Sequence, residues 1–368
     1  MSELTPELLL EKLHHFDFPE PTMPITRYGN GHINDTFLVT TPQKRGILQR
    51  INNRVFPHPD LLMENIQRVT RHLAASISAR GGDPLRETLT LIPTRDGKFY
   101  IIDDAGDCWR LYLFVEHTMS YDLPENETIF MRSGKSFGMF QRSLSDFDAS
   151  VLHEVIPHFH DTPVRFRNFT ESLKQDKSGR AKEVQQEIEF VLAREKDMNG
   201  LTNLLRNNPA LLRVTHNDTK LNNILMDQDT GEGICVIDLD TVMPGMMAYD
   251  FGDSIRFGAN TALEDEPDLT KVSLSMPMYT AYTKGFLEGL GGGVSVEEKK
   301  TLPLGAKLMT LECGMRFLTD YLDGDVYFRT HRPHHNLDRA RNQFALVKSM
   351  EEQWEAMEQV VMDTALAE

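Results

Sequence analysis

The segment that most restricts how this chain can fold lies between Val214 and Asp240. It reads Val214-Thr215-His216-Asn217-Asp218-Thr219-Lys220-Leu221-Asn222-Asn223-Ile224-Leu225-Met226, then resumes as Ile234-Cys235-Val236-Ile237-Asp238-Leu239-Asp240. Short apolar, β-branched runs bounded by turn-forming residues predict a strand–loop–strand unit. Asp218 and Asn223 stand five residues apart on the loop, and Asp238 follows fifteen residues later at the end of the next strand. A fold that accommodates this segment has to present an acid, an amide and a second acid on successive passes of the chain.

The rest of the chain is asymmetric about residue 116. Before it, Thr5–His15 predicts an amphipathic helix, and Arg27–Thr40 predicts two strands around the turn Tyr28-Gly29-Asn30-Gly31-His32-Ile33-Asn34-Asp35-Thr36. Gly46–Ile51 is a third strand, and Asp60–Ser76 is a helix with Leu61, Leu62, Ile66, Val69 and Leu73 on one face. Glu87–Pro93 and Lys98–Asp103 read as strands about an Asp96-Gly97 turn, and Trp109–Glu116 as another. After Glu116 helical spacing dominates, with Asp161–Arg180 and Ala259–Thr270 read as loops or insertions. The expected fold class is α+β, with a small β-rich N-terminal lobe over residues 1–116 and a larger, mainly helical lobe over 117–368. A length of 368 residues suits two such lobes.

Composition narrows the function classes. With 40% hydrophobic and 26% charged residues the chain reads as globular, and its formal charge of −16 disfavours nucleic acid and anionic membranes as partners. A phosphate-bearing ligand stays open, because a bound cation and a few basic groups dominate the field of one local site. Cys108, Cys235 and Cys313 are scattered and read as reduced core thiols. No secretory signal or membrane-length apolar run is visible, so a cytoplasmic protein is expected. Oligomeric state is not legible.

Phosphoryl transfer to a hydroxyl needs what the central segment offers. One carboxylate orients the attacking O–H and takes its proton, while an amide oxygen and a second carboxylate hold Mg²⁺ against the phosphates. His216-Asn217-Asp218 with Asn223 fits the kinase catalytic-loop pattern H-R-D-x-x-x-x-N, except that Asn217 stands in place of Arg. A capped turn before an ordinary strand is the bland reading, and the Ile237-Asp238-Leu239-Asp240 strand end argues against it.

The motifs His216-Asn217-Asp218-Thr219-Lys220-Leu221-Asn222-Asn223, Val236-Ile237-Asp238-Leu239-Asp240-Thr241-Val242 and Tyr249-Asp250-Phe251-Gly252-Asp253 resemble the aminoglycoside phosphotransferase and choline kinase superfamily. Within it the chain resembles the N-acetylhexosamine 1-kinase branch, and the likeness runs over most of its length. The resemblance implies a protein-kinase-like bilobal fold and an ATP- and Mg²⁺-dependent kinase phosphorylating the anomeric hydroxyl of N-acetylglucosamine or N-acetylgalactosamine. It implies Asp218 as catalytic base and Asn223 and Asp238 as metal ligands. For the sugar it implies His32, Asp218, Arg316 and Tyr327. Kinases of choline, homoserine or aminoglycosides remain the alternative acceptors, and a nucleotide-binding scaffold the alternative class.

For the nucleotide, Gly29 and Gly31 let backbone amides approach a triphosphate. The third strand carries Gln49 and Arg50 where a kinase places Lys, so Arg50 is a candidate phosphate cation, with Glu64 to orient it and with Lys44 and a plain exposed arginine as the competing readings. Phe114, Val115 and Glu116 close the last strand of the lobe, where a hinge offers backbone groups to adenine. Asp240 either joins the metal or caps a turn. Asp250-Phe251-Gly252 spells the protein-kinase metal motif, yet Asp238 already holds that place, so Asp250 and Asp253 are assigned to a helix cap or to the catalytic loop. Ser133-Gly134-Lys135-Ser136 falls in a helix interior and is no P-loop. His331, His334 and His335 lack the spacing and the cysteines of a zinc site.

Overall fold

The computed structural model describes residues 4–29, 31 and 33–365. They fall into two units, each packed about its own core. The first takes in Met1–Met119, Ser150–Pro157 and Leu225–Val242, and the second takes in the rest. The chain leaves the first unit after Met119 and re-enters it twice. A single division into 1–116 and 117–368 therefore omits the returning segment that carries Asp238 and Asp240.

The first unit is built on an antiparallel sheet of β1 (Thr26–Arg27), β2 (Asp35–Thr40), β3 (Arg45–Ile51), β4 (Ile101–Ile102) and β5 (Cys108–Leu113), in the order β1-β2-β3-β5-β4. Phe37, Val39, Leu48, Trp109 and Leu111 bury one face against Leu9 and Leu13 of α1 (Pro6–Leu13) and against Phe16. Register decides where each polar side chain points. Arg50 is paired across the ladder with Asp35 and Trp109, whereas Gln49 is paired with Thr36 and Arg110. Directly opposed residues share a face and neighbours along a strand do not, so Arg50 belongs to the α1 face and Arg110 to the other.

Helix α2 (Pro59–Ala79) buries Leu62, Met63, Ile66, Val69 and Leu73, and α3 (Pro84–Glu87) follows it. Asn65, buried on α2, donates to the carbonyls of His153 (2.8 Å) and Val242 (3.0 Å), tying both returning segments to this unit. In a second small sheet β6 (Thr118–Met119) pairs with β8 (Ile224–Asp227), which borders β9 (Gly233–Val236). The strands expected over Glu87–Pro93 and Lys98–Asp103 shrink to β4 and a single Leu91–Tyr112 bridge. The Thr94 hydroxyl bonds Asp96 (2.6 Å) and accepts from the Lys98 amide (2.8 Å), a local turn that competes with a ladder.

The second unit is helical around one short β pair. Its helices are α4 (Glu127–Ser143), α5 (Thr162–Gln175), α6 (Gln185–Leu192), α7 (Gly200–Asn207), α8 (Met247–Gly258), α9 (Met276–Leu290), α10 (Val296–Asp323), α11 (His335–Glu352) and α12 (Trp354–Asp363). The pair is β7 (Leu212–Thr215) with β10 (Met243–Met246). Helices α4 and α9 cross in backbone contact: a Cβ on Gly285 would lie 1.9 Å from the Met131 carbonyl, and one on Gly138 2.2 Å from that of Phe286. Helix α10 opens with a Ser295–Glu298 capping box and packs Leu308, Met315 and Leu318 into a core with Phe169, Phe344 and Val347. Helix α5 replaces the loop read over Asp161–Arg180. Asp161 caps it by accepting from the Val164 amide (3.1 Å), Pro163 lies in the first turn, and Phe169 is buried.

Cys108 and Cys235 are buried, and desolvation pushes both thiols up to about 12. Among the described residues no helix is long and apolar enough to cross a membrane.

Candidate active site

In the second unit β7 delivers the chain at Thr215 into the loop His216–Asn223, and α8 holds that loop from within. Asp250 on α8 is fully buried. Its carboxylate accepts from the amides of His216 (2.9 Å) and Asn217 (2.8 Å) and from Gln141 Nε2 of α4 (2.6 Å). Asp253, close to one turn on, accepts from the Thr219 amide at 2.9 Å. The Thr219 hydroxyl bonds the Asp250 carbonyl (2.6 Å), and Ser254 Oγ bonds the Thr219 carbonyl (2.7 Å). These bonds sustain Asn217 at φ +65°, a left-handed conformation uncommon outside glycine. Asp250 and Asp253 thus organise the loop and do not cap α8, whose N-cap is Met246.

The loop presents Asp218 with a partner on each oxygen. Oδ1 lies 2.8 Å from Lys220 Nζ, and Oδ2 accepts from Asn223 Nδ2 at 3.2 Å. The Asp218 amide bonds His216 Nδ1 (3.3 Å), and that imidazole is wedged edge-on against Phe137 and Phe140. Burial pushes the Asp218 carboxyl up, but the Lys220 ammonium, helped by His216 and Arg256, holds it below the usual carboxylate range. Asp218 is therefore an anion at neutral pH and an acceptor for a hydroxyl proton. Lys220 was not among the expected site residues, and its position two residues after Asp218 was the available signal. Asn223 Nδ2 also donates to the Asp218 carbonyl (2.8 Å), which leaves Oδ1, a neutral hard oxygen, for a cation.

Near the same loop the second unit gathers arginines over aromatic rings. Arg316 of α10 has its guanidinium 5.6 Å from Phe159, 5.4 Å from Phe328 and 6.0 Å from Tyr327. Glu312, one turn earlier, does not serve as its partner. Its carboxylate takes His160 Nδ1 at 2.9 Å and Thr162 Oγ1 at 2.7 Å. Burial pushes Glu312 up, and the bond from His160, its charge, Thr162 and Arg316 bring it below the usual range. His160 Nε2 in turn lies 3.4 Å from the Asn217 carbonyl, linking this cluster to the loop. Arg165 of α5 binds the Phe159 carbonyl through Nε (3.2 Å) and Nη2 (2.9 Å), and burial together with the charge of Arg316 lowers its pKa. Tyr327 is 68% exposed, its amide held by Asp320 at 2.7 Å. His32 lies outside the described residues. His334 and His335 are engaged by the Tyr321 hydroxyl (2.8 Å) and Asp265 (3.0 Å), not by each other as a metal set.

In the first unit the glycine turn leads into β2, with Gly29 at φ +74° and, among the described residues, open space where a Cβ would stand on Gly29 or Gly31. Arg50 does not serve as the expected phosphate cation. It is 4% exposed and ion-paired with Asp35 (2.8 Å) and Asp107 (3.0 Å) on the α1 face. Glu64 instead bonds His153 Nε2 at 2.7 Å and pairs with Arg68. The buried cation of the opposite face is Arg110, which the sequence reading passed over as part of a core strand. Its Nη1 lies 2.6 Å from Asp240 Oδ1, and its Nε bonds Gln49 Oε1 at 3.0 Å. Asn34 Nδ2 donates to the other Asp240 oxygen at 2.6 Å, while Oδ1 faces Arg110 as an ion pair without a hydrogen bond among the described residues. Asp238, two residues before it, adopts φ +58° at the end of its strand.

After β5 the hinge candidates are braced from one side. The Phe114 amide bonds the Arg45 carbonyl (3.0 Å), the Thr118 hydroxyl bonds the Val115 carbonyl (2.9 Å), and Arg45 stacks on Phe114 at 3.9 Å. The Glu116 carboxylate is gripped by Arg45. An open cavity of about 330 Å³ lies alongside, lined in part by Lys44, Leu85, Arg86 and His117.

Solved structures that share this fold include several phosphotransferases. A microcompartment-associated aminopropanol kinase aligns with TM-score 0.58 and 14% identity, covering 96% of this chain and 98% of its own. A spectinomycin phosphotransferase in complex with ADP and spectinomycin aligns with TM-score 0.59 and 14% identity over 99% of each chain. A choline kinase from Cryptosporidium parvum aligns with TM-score 0.54 and 14% identity over 97% of each. The family model for the phosphotransferase enzyme family matches residues 24–272, which span the glycine turn, the His216–Asn223 loop and Asp238. With more than half of its length in that match and an α+β, protein-kinase-like fold around it, the chain belongs to the phosphotransferase enzyme family.

Proposed function

We propose that this protein is an ATP-dependent kinase that phosphorylates a small sugar, at the anomeric hydroxyl of N-acetylglucosamine or N-acetylgalactosamine. The observation that carries the reaction type is the loop carboxylate Asp218, held ionised by Lys220 and oriented by Asn223. In this reading Asp218 accepts the hydrogen bond of the acceptor hydroxyl. As the hydroxyl oxygen bonds to the γ-phosphorus, the bond to the β,γ-bridging oxygen breaks and its electron pair leaves with ADP. The acceptor proton passes to Asp218. Lys220 adds positive charge beside the entering phosphoryl group. Asn223 and Asp238 are the proposed Mg²⁺ ligands, and the ion would supply neutralisation of the phosphate oxygens. Gly29, Gly31, Phe114 and Val115 are proposed to hold the nucleotide.

The sugar reading is supported by the arginine cluster. A cationic acceptor needs free carboxylates or unoccupied aromatic faces. Glu312 is consumed by His160 and Thr162, and Asp161 by the α5 cap, while Arg316 covers the Phe159 and Phe328 rings. Among the described residues Arg316 makes no ion pair within 4.0 Å, so its donors suit hydroxyl and acetamido oxygens. His32, Asp218, Arg316 and Tyr327 are the proposed sugar contacts.

The test is ADP release with ATP and Mg²⁺ across N-acetylglucosamine, N-acetylgalactosamine, glucose, galactose, choline, homoserine and kanamycin. Turnover confined to the N-acetylhexosamines supports the reading. Turnover on choline or kanamycin alone discards the sugar site and keeps the kinase.

A further inference from the structure

The first unit contains a charge arrangement that the reaction as described leaves unused. On β3, where a kinase fold carries a lysine, this chain has the neutral Gln49. The strand beside it supplies the charge: Gln49 and Arg110 are ladder partners on one face, and Arg110 Nε bonds Gln49 Oε1 at 3.0 Å. Gln49 is fixed from its other side by donating to Thr36 Oγ1 at 3.0 Å. Helix α2 does not complete the pair. It presents Met63, whose sulfur lies 3.9 Å from Arg110 Nη1, while Glu64 turns away to His153. The counter-charge arrives from the returning segment, as Asp240.

Both members of the pair are buried, Arg110 at 1% and Asp240 at 3% exposure. A buried ion pair offers little net stability, because desolvation offsets most of the attraction, so its retention asks for a positional reason. Its connections supply one. Asp240 Oδ2 accepts from Asn34, and Asn34 Oδ1 accepts from the Asn52 amide at 3.0 Å. One carboxylate thus ties β5, the start of β2 and the chain beyond β3 to the turn Leu239–Thr241. That turn begins at Asp238, in a left-handed backbone conformation that surrounding contacts have to over-determine.

We propose that Arg110 and Asp240 are positioning residues that set the metal-binding carboxylate Asp238, in place of the strand–helix ion pair that the sequence led us to seek at Arg50 and Glu64. Neither is assigned a contact with the nucleotide. Arg110 acts through Asp240, and Asp240 through the two-residue backbone link to Asp238. This rests on the kinase reading of Asp238 given above.

The experiment measures ATP affinity of the full chain twice, in EDTA and in saturating Mg²⁺, for wild type, Arg110→Lys, Asp240→Asn and Asn34→Ala. The ratio of the two affinities reports metal binding independently of any acceptor. Loss of an outer partner of a metal ligand lowers metal affinity by about 10–100-fold. The Mg²⁺ enhancement is expected to fall by that range in Arg110→Lys and Asp240→Asn, and by less in Asn34→Ala, with affinity in EDTA unchanged. If Arg110→Lys does not fold, Asn34→Ala, which leaves the ion pair intact, still reads the tie to Asp240. Parallel losses in EDTA and Mg²⁺, or no loss in either, overturn the proposal. Wild type that binds ATP equally with and without Mg²⁺ overturns the metal reading of Asp238 itself, a distinct failure.

Discussion

Replacing Asp250 by alanine removes the acceptor on which the His216–Asn223 loop is built. Three donors converge on that carboxylate at 2.9, 2.8 and 2.6 Å, two of them the backbone amides of His216 and Asn217. An orphaned buried donor costs about 1–3 kcal/mol, so the two amides and Gln141 together set a loss of roughly 3–9 kcal/mol. The lower half of that range applies, because burial already pushes the Asp250 carboxyl up and trims the charge-assisted part of these bonds. Against a typical total of about 5–15 kcal/mol, the variant stays foldable but is visibly weakened. Asp250→Asn keeps the shape and one acceptor while turning an amide donor toward a backbone N–H, at a cost of about 2–3 kcal/mol. Urea unfolding at neutral pH followed by circular dichroism measures both. A shift below about 1 kcal/mol in Asp250→Ala, with unchanged slope, would refute the claim that this carboxylate holds the loop.

Four further outcomes follow from the same contacts. Asp218→Asn should collapse turnover while nucleotide affinity in Mg²⁺ stays near wild type, read by ADP release and by calorimetry. Lys220→Met removes the cation that holds Asp218 below its ordinary range, so the acid limb of the kcat profile should move to higher pH, a shift moderated because both side chains are partly solvated and the attraction is screened. Glu312 is depressed in the fold, so its contribution to stability is complete above its unfolded value and is lost as pH falls through the folded one. Glu312→Gln should therefore flatten the stability profile below about pH 4.5, measured by thermal unfolding. Gly285→Ala forces α4 and α9 apart, because only backbone faces the added methyl, and overpacking of this kind typically costs about 1–3 kcal/mol by urea unfolding.

What the sequence made legible was local. Asp218 and Asn223 lie five residues apart on one loop, so pattern and chemistry together pointed to them, and the same is true of Asp238 at the end of the next strand. The charge beside them was not local. Arg50 was chosen because it sits on the expected strand, yet the buried Leu48 already implied that even-numbered positions of β3 face α1, and Arg50 with them. Arg110 lies in Trp109-Arg110-Leu111-Tyr112, a run whose apolar neighbours made it read as plain core. Its meaning depends on Gln49, 61 residues away, and on Asp240, neither of which spacing reveals. Helix α5 was missed for a different reason. Its polar composition outweighed the cap Asp161 and the first-turn Pro163, which were the signals to trust. His160 and Arg165, just before and on that helix, were lost with it.

The most direct test of the account is the structure of the product formed from ATP, Mg²⁺ and N-acetylglucosamine, read by ³¹P–¹H correlation and a reducing-end assay. Transfer to the anomeric hydroxyl predicts phosphorus coupled to the anomeric proton and a sugar without a reducing end. A phosphorylated sugar that keeps its reducing end, or no sugar phosphate alongside rapid phosphorylation of choline or kanamycin, would contradict it.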